Sequence, residues 1–196
     1  MTTPRLLIVG PQGSGKGTQG VRIAESLGIP VISTGDVFRA NVKEGTDLGK
    51  QVQAIIEAGN LVPDELTSAI VRDRLTQDDA AAGFLLDGYP RNLGQVADLD
   101  AFLTGRGEQL TGVIELNVPR EESIARLTLR AQEQGRTDDT EDVIAHRLSI
   151  YERETAPILD VYRERGIVDT IDGVGTLDEI TERIAAALAA RDLVGA

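Results

Sequence analysis

Short apolar runs rich in β-branched residues punctuate the chain: Leu6-Leu7-Ile8-Val9, Val31-Ile32, Phe84-Leu85-Leu86, Val113-Ile114-Glu115-Leu116 and Ile167-Val168-Asp169-Thr170-Ile171. Each has the length and residue types of a buried strand. Between them lie longer stretches with apolar residues at helical spacing, such as Val21, Ala24 and Leu27, closed by Gly28 and Pro30. Ile180, Ile184, Ala187 and Leu188 predict a terminal helix packed on the sheet. Alternating strand and helix imply parallel strands joined by crossover helices, with the chemistry at the carboxyl ends of the strands. Two segments break the pattern and read as insertions, about residues 33–62 and about 130–136. The second, Arg130-Ala131-Gln132-Glu133-Gln134-Gly135-Arg136, is polar without helical apolar spacing and reads as an exposed loop between helices. Residues 1–196 read as one domain.

Composition narrows the class. Apolar residues make up 41% and charged residues 27% of the 196 positions, ordinary values for a globular chain. No apolar run approaches the ~18 residues of a membrane helix, and the first is shorter than the ~7–15 residues of a secretory leader's core, so the expectation is a cytoplasmic protein without a membrane partner. The absence of cysteine excludes a disulfide scaffold, a thiolate nucleophile and a zinc site built on sulfur. Twenty basic against thirty-two acidic residues, a net charge of −12, argue against nucleic acid as partner. All but three of those cations are arginines, whose planar fork suits carboxylate and phosphate.

The first strand runs into Gly10-Pro11-Gln12-Gly13-Ser14-Gly15-Lys16-Gly17-Thr18, a G-x-x-x-x-G-K loop before a helix. In such a loop glycines turn backbone N–H groups onto phosphate oxygens, the lysine adds a point charge and the helix its positive end. Gly17 stands where the usual pattern has Ser or Thr, and the hydroxyl follows at Thr18, which puts direct metal ligation by a hydroxyl in question.

Three further segments carry candidate chemistry. In Ser33-Thr34-Gly35-Asp36-Val37-Phe38-Arg39, Thr34 suits a base edge and Arg39 a phosphate, although the same residues also fit a capped helix start with a solvated arginine. Asp87 ends a buried strand beside the phosphate loop, placed either for a divalent cation or for capping the turn at Gly88. Arg126 and Arg130 share one helix face, either around an anion or as surface charges.

Lys16-Gly17-Thr18, together with the order and spacing of these segments as far as Gly175, resembles the nucleoside monophosphate kinases, and the adenylate kinases in particular. The resemblance implies a P-loop NTPase three-layer α/β fold with a central parallel five-stranded sheet, a mobile helical flap binding the monophosphate over about 33–62 and a short lid over about 130–136. It implies reversible, Mg²⁺-dependent phosphoryl transfer from ATP to AMP, giving two ADP, by a monomer. Gly13, Ser14, Gly15, Lys16, Gly17, Thr18, Arg126, Arg130 and Gly175 would then face ATP. Thr34, Arg39, Asn60, Leu61, Val62, Gly88, Tyr89, Pro90, Arg91, Gln95, Arg136 and Arg147 would face AMP, with the Gln95 amide on the adenine edge. Lys16, Arg91, Arg126, Arg130, Arg136 and Arg147 would surround the transferring phosphoryl, and Asp87 would hold Mg²⁺ through water.

Asp138 and Asp139 match the acidic pair that closes the family's lid, while Thr137 before them equally suits a helix start. Long-lid members sometimes bind zinc through cysteines. This short-lid chain has one histidine, His146, read as exposed or packed, so no zinc is expected. Gly175 stands where some relatives have lysine, which leaves a main-chain contact. Two rivals stay open, a kinase for UMP or CMP, against which Thr34 and Gln95 speak, and a non-catalytic nucleotide-binding regulator, against which the arginine set speaks.

Overall fold

The structure, a computed structural model, describes residues 2–134 and 140–193. Among these residues five strands form one all-parallel sheet: β1 (Arg5–Val9), β2 (Val31–Ser33), β3 (Phe84–Asp87), β4 (Gly112–Asn117) and β5 (Val168–Asp172), in the order β2-β3-β1-β4-β5. Every expected strand is present. Leu6 and Leu7 of β1, Leu85 and Leu86 of β3 and Val113 of β4 are wholly buried, as they must be when helices cover both faces of a parallel sheet.

The pleat divides these residues between two cores. On one face Leu6, Ile8, Leu85 and Ile114 meet Ile23 and Ala24 of α1 (Lys16–Leu27) and Ile180, Ile184 and Leu188 of α9 (Leu177–Ala190). On the other, Leu7, Val9, Leu86 and Val113 meet α4 (Asp64–Leu75) through Val71 and Leu75, α5 (Leu93–Gly105) through Leu99 and Leu103, and α8 (Ile158–Glu164) through Ile158 and Tyr162. The result is the expected three-layer architecture.

Two helices leave these layers. α2 (Thr34–Glu44) and α3 (Asp47–Glu57) pack on each other around Phe38, Val52 and Val62. Their approach is close enough that a Cβ on Gly49 would lie 2.1 Å from the Asn41 carbonyl oxygen. After β4 come α6 (Arg120–Gln134) and α7 (Glu141–Ile150), the latter continued by a wide turn at Tyr151–Thr155.

Two details differ from the sequence reading. Val21 is 46% exposed, and α1 turns Gln19, Gly20, Ile23 and Ala24 inward instead. The stretch expected to be a loop from Arg130 onward is helical as far as Gln134. Ala131, Gln132, Glu133 and Gln134 are all strong helix formers, so the missing apolar spacing marked a helix end without a buried stripe. Arg136, Thr137, Asp138 and Asp139 lie outside the described residues.

Candidate active site

The loop from β1 to α1 is built by left-handed glycines: Gly13 has φ 80° and Gly15 has φ 91°. A side chain at Gly13 would also collide, because its Cβ would lie 2.6 Å from the Ser123 carbonyl oxygen of α6. No side chain caps the start of α1 among the described residues, which leaves the first N–H groups of that helix for an anion. The Lys16 ammonium folds back over the loop, donating to the carbonyl oxygens of Gly10 (2.8 Å) and Pro11 (2.9 Å). Burial lowers its pKa from 10.5 to about 8; Asp87 opposes the shift, while Arg91 and Arg130 add to it.

On the β2–β3 side, Ser33 to Arg39 form the capped start of α2. Ser33 caps α2 by accepting from the Asp36 N–H at 3.3 Å, and Thr34 Oγ1 turns to the site, donating to the Gly88 carbonyl oxygen at 2.9 Å. Arg39 pairs with Asp36 at 2.5 Å. The same Gly88 oxygen accepts from Arg91 Nε at 2.8 Å. Gly88 itself has φ 82°, and a Cβ there would stand 2.8 Å from Thr34 Oγ1 and 2.9 Å from Arg91 Nη2. Burial pushes the Arg91 guanidinium below its ordinary range; Asp87 opposes this and Arg147 and Arg39 reinforce it. Behind it, Thr155 Oγ1 donates to the Arg91 carbonyl oxygen at 2.8 Å, and the buried Tyr89 hydroxyl lies 2.8 Å from Ser68 Oγ.

On the β4–β5 side, Arg126 Nε donates to Glu122 at 2.7 Å and its Nη2 to the Gly173 carbonyl oxygen at 3.0 Å, joining α6 to the loop after β5. Arg147 Nη2 of α7 donates across to the Ile56 carbonyl oxygen of α3 at 3.1 Å.

These elements enclose one cleft of about 520 Å³ at the carboxyl ends of the strands. It is lined by Gly13, Gly15, Lys16, Gly17, Thr18, Thr34, Arg39, Asn60, Leu61, Val62, Asp87, Gly88, Arg91, Gln95, Arg126, Arg130 and Arg147. Four other residues singled out in the sequence do not line it: Ser14, Tyr89 and Pro90 are buried, and Gly175, in the loop that Arg126 reaches, lies against Glu179 and Arg183. The wall also includes Gln12 and Phe38, to which the sequence segments that contain them give no role, and Thr67 and Leu127, which no motif contains. Phe38 and Leu127 look like ordinary core positions in the sequence, and it is the departure of α2 from the sheet and the packing of α6 against the phosphate loop that bring them to the cleft. Among the described residues no group of three or more His, Asp or Glu side chains converges as a metal cage.

A family model described as "Adenylate kinase" matches residues 8–167. The chain is 60% identical over 187 residues to an adenylate kinase of Clavibacter michiganensis subsp. michiganensis, covering 95% of this chain and 94% of that protein. To an adenylate kinase of Kocuria rhizophila it is 57% identical over 184 residues, 94% of this chain and 98% of the relative. To one of Thermobifida fusca it is 53% identical over 187 residues, 95% and 99% of the two chains.

Proposed function

The chain belongs to the adenylate kinase family, and from that premise we propose how its cleft divides between two nucleotides. The protein is an ATP:AMP phosphotransferase of P-loop NTPase fold that interconverts adenine nucleotides. In the proposed division Gly13, Ser14, Gly15, Lys16, Gly17, Thr18, Arg126, Arg130 and a main-chain contact at Gly175 serve ATP. Thr34, Arg39, Asn60, Leu61, Val62, Gly88 to Arg91, Gln95, Arg136 and Arg147 serve AMP. The insertion of about 33–62 acts as a flap and about 130–136 as a short lid, within one domain.

A phosphate oxygen of AMP attacks the terminal phosphorus of ATP in line, and the bond to the ADP leaving oxygen breaks. The acceptor is already an anion, so no side chain has to remove a proton from it. What the protein must supply is alignment and positive charge around the equatorial oxygens. Lys16, Arg91, Arg126, Arg130, Arg136 and Arg147 take that role. Lys16 is held over the loop by two carbonyl oxygens, which its ammonium exchanges for phosphate oxygens.

A Mg²⁺ carried by the ATP phosphates would neutralise part of their charge. The donor set fits such an ion: Asp87 Oδ2 lies 3.8 Å from where a Cβ of Gly17 would stand, beside the phosphate loop, and no group of three or more His, Asp or Glu side chains forms a cage among the described residues. An ion held mainly by substrate oxygens and water needs only one such carboxylate. The reading extends to a cytoplasmic, monomeric enzyme.

The observation that supports this division is the gathering of Lys16, Arg39, Arg91, Arg126, Arg130 and Arg147 in a single cleft of a chain with net charge −12. A coupled ADP-formation assay with MgATP and each of AMP, UMP and CMP tests it. AMP- and Mg²⁺-dependent turnover is expected; turnover with UMP or CMP far above that with AMP would overturn it.

A further inference from the structure

The buried Gln95 amide uses half of its hydrogen-bonding capacity inside the protein. Its Oε1 accepts from the Arg91 N–H at 2.8 Å, and its Nε2 donates to Asp64 Oδ1 at 2.7 Å. A primary amide has two acceptor positions on oxygen and two hydrogens on nitrogen. One acceptor position and one N–H of the same amide are therefore left over, on a residue that lines the cleft.

A donor next to an acceptor complements adenine, whose N1 accepts and whose 6-amino group donates. A 6-oxopurine presents the reverse pattern, an N1–H donor beside an O6 acceptor. Half a turn of the Gln95 amide would exchange its two ends at no cost in volume and convert a reader of one base into a reader of the other. Discrimination therefore depends on what forbids the half turn. In the turned state Nε2 would face the Arg91 N–H, donor against donor, and Oε1 would face the Asp64 carboxylate, acceptor against acceptor.

We propose that Asp64 is a specificity-determining positioning residue, whose carboxylate, with the Arg91 amide, holds Gln95 in the adenine-reading orientation and so excludes 6-oxopurine monophosphates. The proposal rests on the assignment of Gln95 to the acceptor base. Asp64 is well fixed for this task. It is the first residue of α4, where the helix end favours a carboxylate. The same Oδ1 accepts from Asn92 Nδ2 at 2.9 Å. Asn92 Oδ1 in turn caps α5 by accepting from the Gln95 N–H at 2.9 Å, so the Asn92 amide too has only one compatible orientation. An ionised carboxylate can only accept, whereas a carboxamide at position 64 could turn its own NH₂ toward a reversed Gln95.

The test measures kcat/KM with saturating MgATP for AMP and for inosine monophosphate, in the wild type, Asp64→Ala, Asp64→Asn and Gln95→Met. Asp64→Ala is expected to narrow the AMP preference roughly tenfold, within the discrimination typical of a two-point base contact. The KM for MgATP should stay unchanged. Asp64→Asn keeps the shape of the side chain and would rescue a purely structural role; here it is expected to narrow the preference in the same direction. An unaltered preference in both Asp64 variants, with a collapsed one in Gln95→Met, would refute the role of Asp64 and leave the Gln95 assignment standing. An unaltered preference in Gln95→Met would overturn the assignment itself.

Discussion

Asn60 Oδ1 lies 2.7 Å from His146 Nε2, joining the chain just beyond α3 to the exposed face of α7. The contact is one of a set, since Arg147 reaches the Ile56 carbonyl oxygen and a Cβ on Gly59 would stand 2.9 Å from Val143 Cγ1. It links the two-helix insertion to a helix that follows a different strand. One hydrogen bond is worth about 1 kcal/mol net. His146→Ala should therefore weaken AMP binding roughly fivefold while leaving the KM for MgATP unchanged. Calorimetric titration of AMP into the variant measures this directly.

The depressed pKa of Lys16 sets a pH dependence with a definite sign. Free enzyme loses the ammonium proton as pH rises through about 8, so kcat/KM for MgATP should fall above that point. Bound polyphosphate favours the charged form, so kcat should stay level to higher pH. Between about 8 and the ordinary 10.5 the unfolded chain keeps a proton that the folded chain has shed, and this group's share of stability rises with pH. In Lys16→Met the inflection in kcat/KM should vanish and kcat should fall by orders of magnitude, with the fold intact.

Gly49 allows α2 and α3 to touch backbone to side. With a Cβ meeting the Asn41 carbonyl oxygen at 2.1 Å, Gly49→Ala must push the helices apart. Overpacking of this kind costs roughly 1–3 kcal/mol. The damage should be local: faster amide exchange in residues 34–57 and a raised KM for AMP, with the KM for MgATP unchanged.

The Tyr162 hydroxyl is buried with no hydrogen-bond partner among the described residues, and burial holds the phenol above its usual range. The ring keeps its contact with the Arg165 guanidinium, 5.0 Å from its centroid, whether or not the hydroxyl is there. Tyr162→Phe should stabilise the protein by about 1 kcal/mol, because an unpaired buried hydroxyl is removed at almost no loss of packing. The unfolding midpoint should rise by about 2–4 °C with kcat unaltered.

The scaffold was legible because its signals are local. Five apolar runs mark five strands, and the glycine-lysine loop announces its place between strand and helix through residue spacing alone. Ser33 and Thr34 are ambiguous in the sequence for a physical reason: either hydroxyl suits a helix cap, and only the fold shows that Ser33 caps α2 while Thr34 reaches the Gly88 carbonyl oxygen. His146 and Asn60 were beyond reach, since nothing local ties residues 86 positions apart. The end of α6 was misread because helix propensity without a buried face leaves no periodic trace. The partnership of Asp64 with Gln95 escaped for the same reason as that of His146, as it joins the starts of two helices that only the sheet brings side by side.

The strand order β2-β3-β1-β4-β5 has a consequence for remodelling the enzyme. Nearly everything assigned to the acceptor hangs from β2 and β3, and everything assigned to the donor from β1, β4 and β5, with Arg147 as the main crossing thread. The molecule thus has a seam between β3 and β1. Exchanging the acceptor half for that of a kinase with another appetite is a graft along that seam, and it would leave the energy-rich partner's berth untouched.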